Sequence, residues 1–269
     1  MHLLSGGRAI LGIGPGEREN NEPYGVDWKR PVARFEEAVE TIRALWESNG
    51  EPISRDSEFF PLRDAVFALP PHRGTRPELW MGAHGPRVLK AAGRYADAWL
   101  PAFPGSPAEY RDKLDAVRSA ASDAGRDPSA VQAAGWMWVI TGRSRSIVDE
   151  ILGSAVVRAF ALAASAQTWA HHRVEHPLGP AFSGAQDILP QTIDEATALD
   201  YGRRAPVSLI RDFFLVGTPA EVLDQIAERR DHGLVYAVMV DLGGCHPRLS
   251  EGLRASISFA KVLRGVRRL

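Results

Sequence analysis

Continuous apolar runs that alternate with amphipathic helical stretches are the feature that most constrains this chain. The runs are AILGIG (9–14), PELWMGA (77–83), DAWLPAF (97–103), VQAAGWMWVIT (131–141) and VYAVMVDL (235–242). A strand whose residues are apolar on both faces is buried on both faces, the signature of a parallel sheet layered with helices. The segments between carry a helical period. In PVARFEEAVETIRALWES, Val32, Phe35, Val39, Ile42, Leu45 and Trp46 share one face. Pro31 and Pro86 sit at helix starts, where a missing N–H costs nothing. Ser106 with Glu109, and Thr218 with Glu221, have the spacing of capping boxes. Residues 144–166 read as one Ala- and Val-rich helix, and 248–267 as a closing helix. The short run Phe213–Val216 is a sixth strand or a peripheral piece.

Two excursions, 49–76 and 167–213, interrupt the alternation, the first with short strands and the second with short helices. The expected organisation is a single α/β domain over residues 1–269. A complete (β/α)8 barrel takes ~250 residues. Too few strands are visible for one, so the pattern leaves open a small open sheet and an incomplete barrel.

Charge and composition exclude several classes. The formal net charge is −1 and the pI about 6.7, so no long-range field favours nucleic acid or an anionic membrane. The basic ending KVLRGVRRL suits the last turn of a helix, where cations meet the macrodipole. Cys245 is the only cysteine, so no intrachain disulfide forms. No apolar run reaches the ~18 residues of a membrane span, and MHLLSGGR lacks the apolar core of a signal peptide. The expected location is cytoplasmic.

The chemistry-bearing motifs are modest. Gly12, Gly14 and Gly16 form G-x-G-x-G after the first strand, without the full dinucleotide fingerprint, and Pro15 interrupts any helix there. By itself this reads as a strand-to-loop turn. Glu17 falls just past the strand end, where barrel enzymes keep catalytic groups, although a solvated loop carboxylate has the same appearance. His84, Gly85 and Pro86 join a strand to a helix. Glycine there permits close backbone approach, and the first helical N–H groups suit a phosphate, with Arg87 adding charge. A plain βα turn explains the same residues equally well.

HHRVEH offers His171, His172, Glu175 and His176 without the His-Glu-x-x-His spacing of a zinc enzyme, so these read as exposed loop histidines and no metal is expected. Trp136, Met137 and Trp138 read as core, and Cys245 as an inert thiol. The absence of G-x-S-x-G and of a P-loop weighs against hydrolases and nucleoside triphosphatases.

Three stretches together resemble the bacterial luciferase-like superfamily: GRAILGIGPGERENNEPYG with RFEEAVETIRALW, ELWMGAHGPRVLKAAGRYADAWLP, and GTPAEVLDQIAERRDHGLVYAVMV. They occur in the family's order and span almost the whole chain. NNEPYGVDW, SAASDAGRDP, VEHPLGPAFSGAQDILPQT and AKVLRGVRRL resemble its phthiodiolone/phenolphthiodiolone dimycocerosates ketoreductase branch more narrowly. The resemblance implies a (β/α)8 TIM barrel, often dimeric, that uses the deazaflavin coenzyme F420 to reduce a lipid ketone. Glu17 then matches an acidic residue near the substrate. Gly14, Gly16, His84, Gly85, Pro86 and Arg87 become the candidate coenzyme-binding residues.

The resemblance also implies about three βα units ahead of residue 7, leaving five of eight here. The 269 residues alone are therefore expected to show little or no turnover. Two other readings share these motifs: a flavin (FMN)-dependent monooxygenase of the same superfamily, and a non-catalytic remnant.

Overall fold

A computed structural model describes all 269 residues. Their contacts gather into two compact units. The first comprises Met1–Gly16, Trp28–Pro101 and Asp112–Ala133; the second comprises Glu17–Asp27, Ala102–Arg111 and Ala134–Leu269.

The first unit opens with β1 (Ile10–Ile13) and α1 (Pro31–Glu47), followed by β2 (Ile53–Arg55) and β3 (Leu62–Ala65). These two strands form an antiparallel pair, the short strands expected in the first excursion. β4 (Glu78–Met81), α2 (Pro86–Tyr95), β5 (Ala98–Trp99) and the greater part of α3 (Pro107–Asp123), from Asp112 on, complete it, with the first residues of β6 (Gln132–Thr141). β1, β4, β5 and the start of β6 lie side by side and parallel. Ile10 pairs with Glu78, Trp80 with Ala98, and Ala98 with Gln132.

Asp97 joins three of these strands. Its carboxylate accepts hydrogen bonds from the Leu79 N–H (2.7 Å) and from two nitrogens of Arg76 (2.8 and 3.1 Å). Its backbone N–H donates to Leu79 O at 2.8 Å, and its carbonyl accepts from Gln132 N–H at 2.9 Å. Burial works against the charge of Asp97, but Arg76 and the Leu79 amide win and hold its pKa below the ordinary value. Trp99 follows two residues later, fully buried, and its indole N–H donates to Ala83 O at 3.0 Å. That bond fixes the end of β4 and the turn into α2.

The second unit holds most of β6, then α4 (Arg145–Gly153), α5 (Ala155–Ala159), α6 (Ala166–His171), α7 (Glu195–Arg204), α8 (Val207–Phe213), β7 (Leu215–Gly217), α9 (Pro219–Asp231), β8 (Tyr236–Asp241) and α10 (Leu249–Val266). β8 runs parallel to β6 from Ala134↔Tyr236 to Val139↔Asp241, and β7 pairs with the end of β6 from Val139 to Thr141. The short run before α9 is thus a true sheet strand.

The long helix expected over 144–166 is broken. α4 ends at Gly153, Ser154 is extended (φ −62°, ψ 129°), and α5 gives way to a 3-10 turn at Phe160–Ala163. Glycine costs helix about 1 kcal/mol, and the break lets α5 pack on α7 where Gly202 meets Ala159. A Cβ on Gly202 would stand 2.7 Å from Ala159 N. Both capping boxes are formed: Ser106 N–H donates to Glu109, and Thr218 N–H to Glu221, each at 2.8 Å. The Gly-Thr-Pro stretch is therefore a helix cap. No helix is long and apolar enough to cross a membrane.

Gly93 of α2 tests this packing. A Cβ there would stand 2.4 Å from Val117 O, 2.7 Å from Ala120 Cβ and 2.8 Å from Ala121 N, all on the neighbouring helix α3. Helix propensity alone favours alanine by ~1 kcal/mol. The collision is with rigid backbone, so overpacking prevails, at about 1–3 kcal/mol. Gly93→Ala is expected to lower the midpoint of denaturant unfolding. An unchanged or raised midpoint contradicts the close approach.

Candidate functional site

In the first unit the candidate residues gather at the turn after β4. The α2 N-terminus is capped by no side chain. Gly85 is its extended N-cap residue, and a Cβ on Gly85 would meet no atom within 4 Å. Free space therefore faces an uncapped helix start, the arrangement in which unpaired N–H groups accept an anion.

His84, just before it, keeps an accessible surface although protein atoms crowd its ring. Lost hydration first, and then the positive charge of Lys113, push its pKa down to about 4. The imidazole is therefore neutral at pH 7. Arg87 is already engaged. Its Nε donates to the Glu36 carboxylate at 3.0 Å, and a terminal nitrogen bonds the same group. Ligand chemistry at this turn accordingly rests on backbone amides before it rests on Arg87. Gly14 lies near Gly82, its Cβ direction 3.6 Å from Gly82 O, and Gly16 adopts φ +78°, a conformation that favours glycine.

In the second unit, Glu17 opens a short 3-10 turn, Arg18–Asn20. The Asn21 side chain donates to Glu17 O at 2.7 Å, and Arg18 N–H donates to Gln186 O at 3.0 Å, which ties this loop to the second excursion. The Glu17 carboxyl is half-buried. Burial first, and then Glu19, raise its pKa, so it holds a proton to higher pH than a free glutamate does. Glu17, His84 and Phe103 each lie past the C-terminal end of the strand they follow.

Several expectations are corrected here. Trp136 is not core. It is 39% exposed, because strand alternation puts it with Trp138 on one face of β6 and buries Met137 on the other. Neither are the histidines simply exposed. His176 is buried between Phe182 (4.5 Å, stacked) and Trp169 (4.9 Å, edge-on), with Nδ1 accepting the Leu178 N–H. His172 bridges Ser208 (2.9 Å) and Asp212 (2.7 Å) of α8. No group of three or more His, Cys, Asp or Glu side chains is arranged to hold a metal.

Sequence reasoning passed over an aromatic cluster. Phe103 stacks on Trp138 (6.0 Å, 6°) and meets Phe213 edge-on (5.6 Å), while Phe160 contacts Trp138 (5.4 Å) and Phe214 (5.9 Å). The signal was the alternation in WMWV, which separates two faces once the strand is known to border a partly open one.

The parallel strands alternating with helices define an α/β fold with the candidate residues past the strand ends, and similarity to known proteins identifies its kind. A family model for luciferase-like monooxygenases matches residues 1–235, and the chain belongs to that family. It is 56% identical over all 269 residues to the phthiodiolone/phenolphthiodiolone dimycocerosates ketoreductase of Mycobacterium tuberculosis, and covers 71% of that protein. Among solved structures it resembles an F420-dependent secondary alcohol dehydrogenase bound to an F420–acetone adduct (TM-score 0.68, 20% identity, 97% of this chain and 72% of that one). It also resembles the F420-dependent tetrahydromethanopterin reductase of Methanopyrus kandleri (TM-score 0.65, 22% identity, 94% and 73%). The architecture is therefore α/β, of the luciferase-like TIM-barrel type.

The depressed pKa of His84 has a signed consequence. The unfolded chain takes up its imidazole proton near pH 6.5 and the folded chain only near pH 4. The unfolded state then binds more protons between those values, so stability falls as pH drops from 6.5 towards 4. His84→Gln removes this titration. Thermal midpoints of the variant are expected to depend less on pH across that window than those of the wild type. Parallel pH profiles contradict the assignment.

Proposed function

We propose that this chain is an F420-dependent ketoreductase that reduces the keto group of phthiodiolone-type dimycocerosate lipids. The observation that carries the reading is the 56% identity to the M. tuberculosis ketoreductase over every residue of the chain. Two F420-dependent enzymes among its structural relatives support the choice of coenzyme.

The residues present fit such a group. The empty space before Gly85 and the uncapped start of α2 suit a phosphate, and Gly14 and Gly16 allow close backbone approach. When bound, F420 supplies the hydride that reduces the ketone. Reduction of a ketone also requires a proton for the carbonyl oxygen. Glu17 is assigned as its source, because its raised pKa keeps the proton available closer to neutrality. Neutral His84 is assigned to the coenzyme side, where it adds no charge. The product is a secondary alcohol, its carbon bearing the transferred hydride and its oxygen the proton.

The test follows oxidation of reduced F420 with a phthiodiolone-type ketone. It compares the 269-residue chain with the same chain extended at its amino end by the matching region of the M. tuberculosis relative. The extended chain is expected to turn over and the shorter one to lag far behind. Equal rates would remove the expectation that further βα units are needed. In the active form, Glu17→Gln is expected to lower turnover by roughly 100-fold and to leave coenzyme affinity unchanged. A loss of affinity with unchanged turnover contradicts the role given to Glu17. Consumption of dioxygen without alcohol formation would favour the monooxygenase chemistry named for the wider family.

A further inference from the structure

The closing helix carries a face that the rest of the fold leaves uncovered. α10 lies wholly within the second unit and is fixed along one side, where Gly252, Ala255, Ser258 and Val262 are buried. A Cβ on Gly243 would stand 2.4 Å from Ala255 Cβ, and one on Gly265 would stand 2.4 Å from the Leu223 side chain of α9. The opposite side carries Leu249, Leu253, Ile257 and Leu263, which are 77, 68, 59 and 40% exposed. With about 100° between successive residues, these four fall within a sector of about 120°. Ser256 shares the sector, and its hydroxyl already donates to Leu253 O at 2.6 Å.

The exposed charges of this helix are of one sign. Lys261, Arg264, Arg267 and Arg268, on its last turns and just beyond them, are exposed, and no carboxylate lies in ion-pair reach of any of them. Glu251, the one acid of α10, is buried between Arg254 (2.9 Å) and Arg143 (3.4 Å). The face is therefore apolar over the first turns and cationic over the last. The helix macrodipole accounts for cations at a C-terminus. It gives no reason for three large aliphatic side chains, each more than half exposed, to stand in a row beside them.

Apolar patches bordered by charge mark interaction surfaces. A nucleic acid would meet the cations and leave the leucines in water. A second copy packed antiparallel on this face would lay Arg264 and Arg267 over Leu253 and Leu249, with no anion to meet them. An anionic lipid surface answers both halves together, acyl chains taking the aliphatic side chains and headgroup phosphates the cations. We propose that α10 docks this protein on an anionic membrane surface. The helix lies in the plane of the interface, with Leu249, Leu253 and Ile257 beneath the headgroups and Lys261, Arg264 and Arg267 among them. The inference stands on α10 alone and not on the ketoreductase reading.

The test is co-sedimentation of the full 269-residue chain with vesicles of equal parts phosphatidylglycerol and phosphatidylcholine, and with vesicles of phosphatidylcholine alone. The anionic vesicles are expected to bind roughly 30-fold more tightly, and that binding to weaken as salt rises from about 50 to about 500 mM. Arg264→Gln combined with Arg267→Gln is expected to cost roughly 30-fold on the anionic vesicles. Leu253→Ser combined with Ile257→Ser is expected to cost at least about tenfold. All four side chains are exposed, so near-ultraviolet circular dichroism and the thermal midpoint should match the wild type in both variants. The chain extended at its amino end should bind as the shorter one does. Absence of binding to the anionic vesicles, equal binding to both kinds, or wild-type binding by the Leu253/Ile257 variant overturns the proposal. Binding that is lost in the extended chain also overturns it, because further chain then covers α10. So does self-association that Leu253→Ser with Ile257→Ser abolishes in place of vesicle binding, which would assign the face to a second copy. Vesicle binding with the expected losses sustains the docking even if no ketone is ever reduced, and the ketoreductase reading alone then fails.

Discussion

The first unit depends on one carboxylate. Asp97 stands at the entrance to the shortest strand of the sheet, where Ala98 and Trp99 alone supply the ladder. Two residues cannot hold three strands in register by their own amides. Asp97 supplies what they lack by binding β4 through Leu79, β6 through Gln132 and the approach to β4 through Arg76. Once β5 is placed, Trp99 is buried and its N–H holds Ala83. The turn His84-Gly85-Pro86 is thereby presented at a defined start of α2. A half-buried ion pair is a costly device. Here the cost is offset by the bonds to the Leu79 amide and to Arg76, beside a strand that stays in register with both neighbours.

Much of this was legible in the sequence, for identifiable reasons. The parallel strands announced themselves because burial on both faces forces unbroken apolar runs. Pro31, Pro86 and the two capping boxes marked helix starts because the first-turn N–H groups of a helix have few chemical solutions. Asp97 was invisible: a lone aspartate ahead of an apolar run looks like a loop residue until Arg76, 21 positions earlier, is brought beside it. The break at Ser154 was missed because Ala and Val continue a helical pattern through a Gly-Ser pair at which the chain turns between two helices. His176 was misjudged for a similar reason, since composition cannot reveal that Trp169 and Phe182 close over it.

Of the candidate residues, Gly85 and Pro86 form the helix start that their order in the sequence suggested, with open space beside Gly85, whereas Arg87 is drawn to Glu36, a contact set by the packing of α2 on α1. Glu17 is set apart from an ordinary loop glutamate by its burial and by Glu19, neither readable as a pKa shift from a list of residues. The aromatic cluster around Trp138 draws on three separated stretches, near Phe103, Phe160 and Phe213–Phe214, and only the fold brings them together.

The central claim is that a hydride passes from reduced F420 to a lipid ketone. Deuterium placed at the hydride-donating carbon of the coenzyme tests it most directly, with the product alcohol analysed by mass spectrometry after turnover by the form of the chain that shows activity. The account predicts one deuterium on the carbinol carbon for each coenzyme oxidised, in the absence of dioxygen. An alcohol free of deuterium, or coenzyme oxidation that requires dioxygen and yields no alcohol, would contradict it.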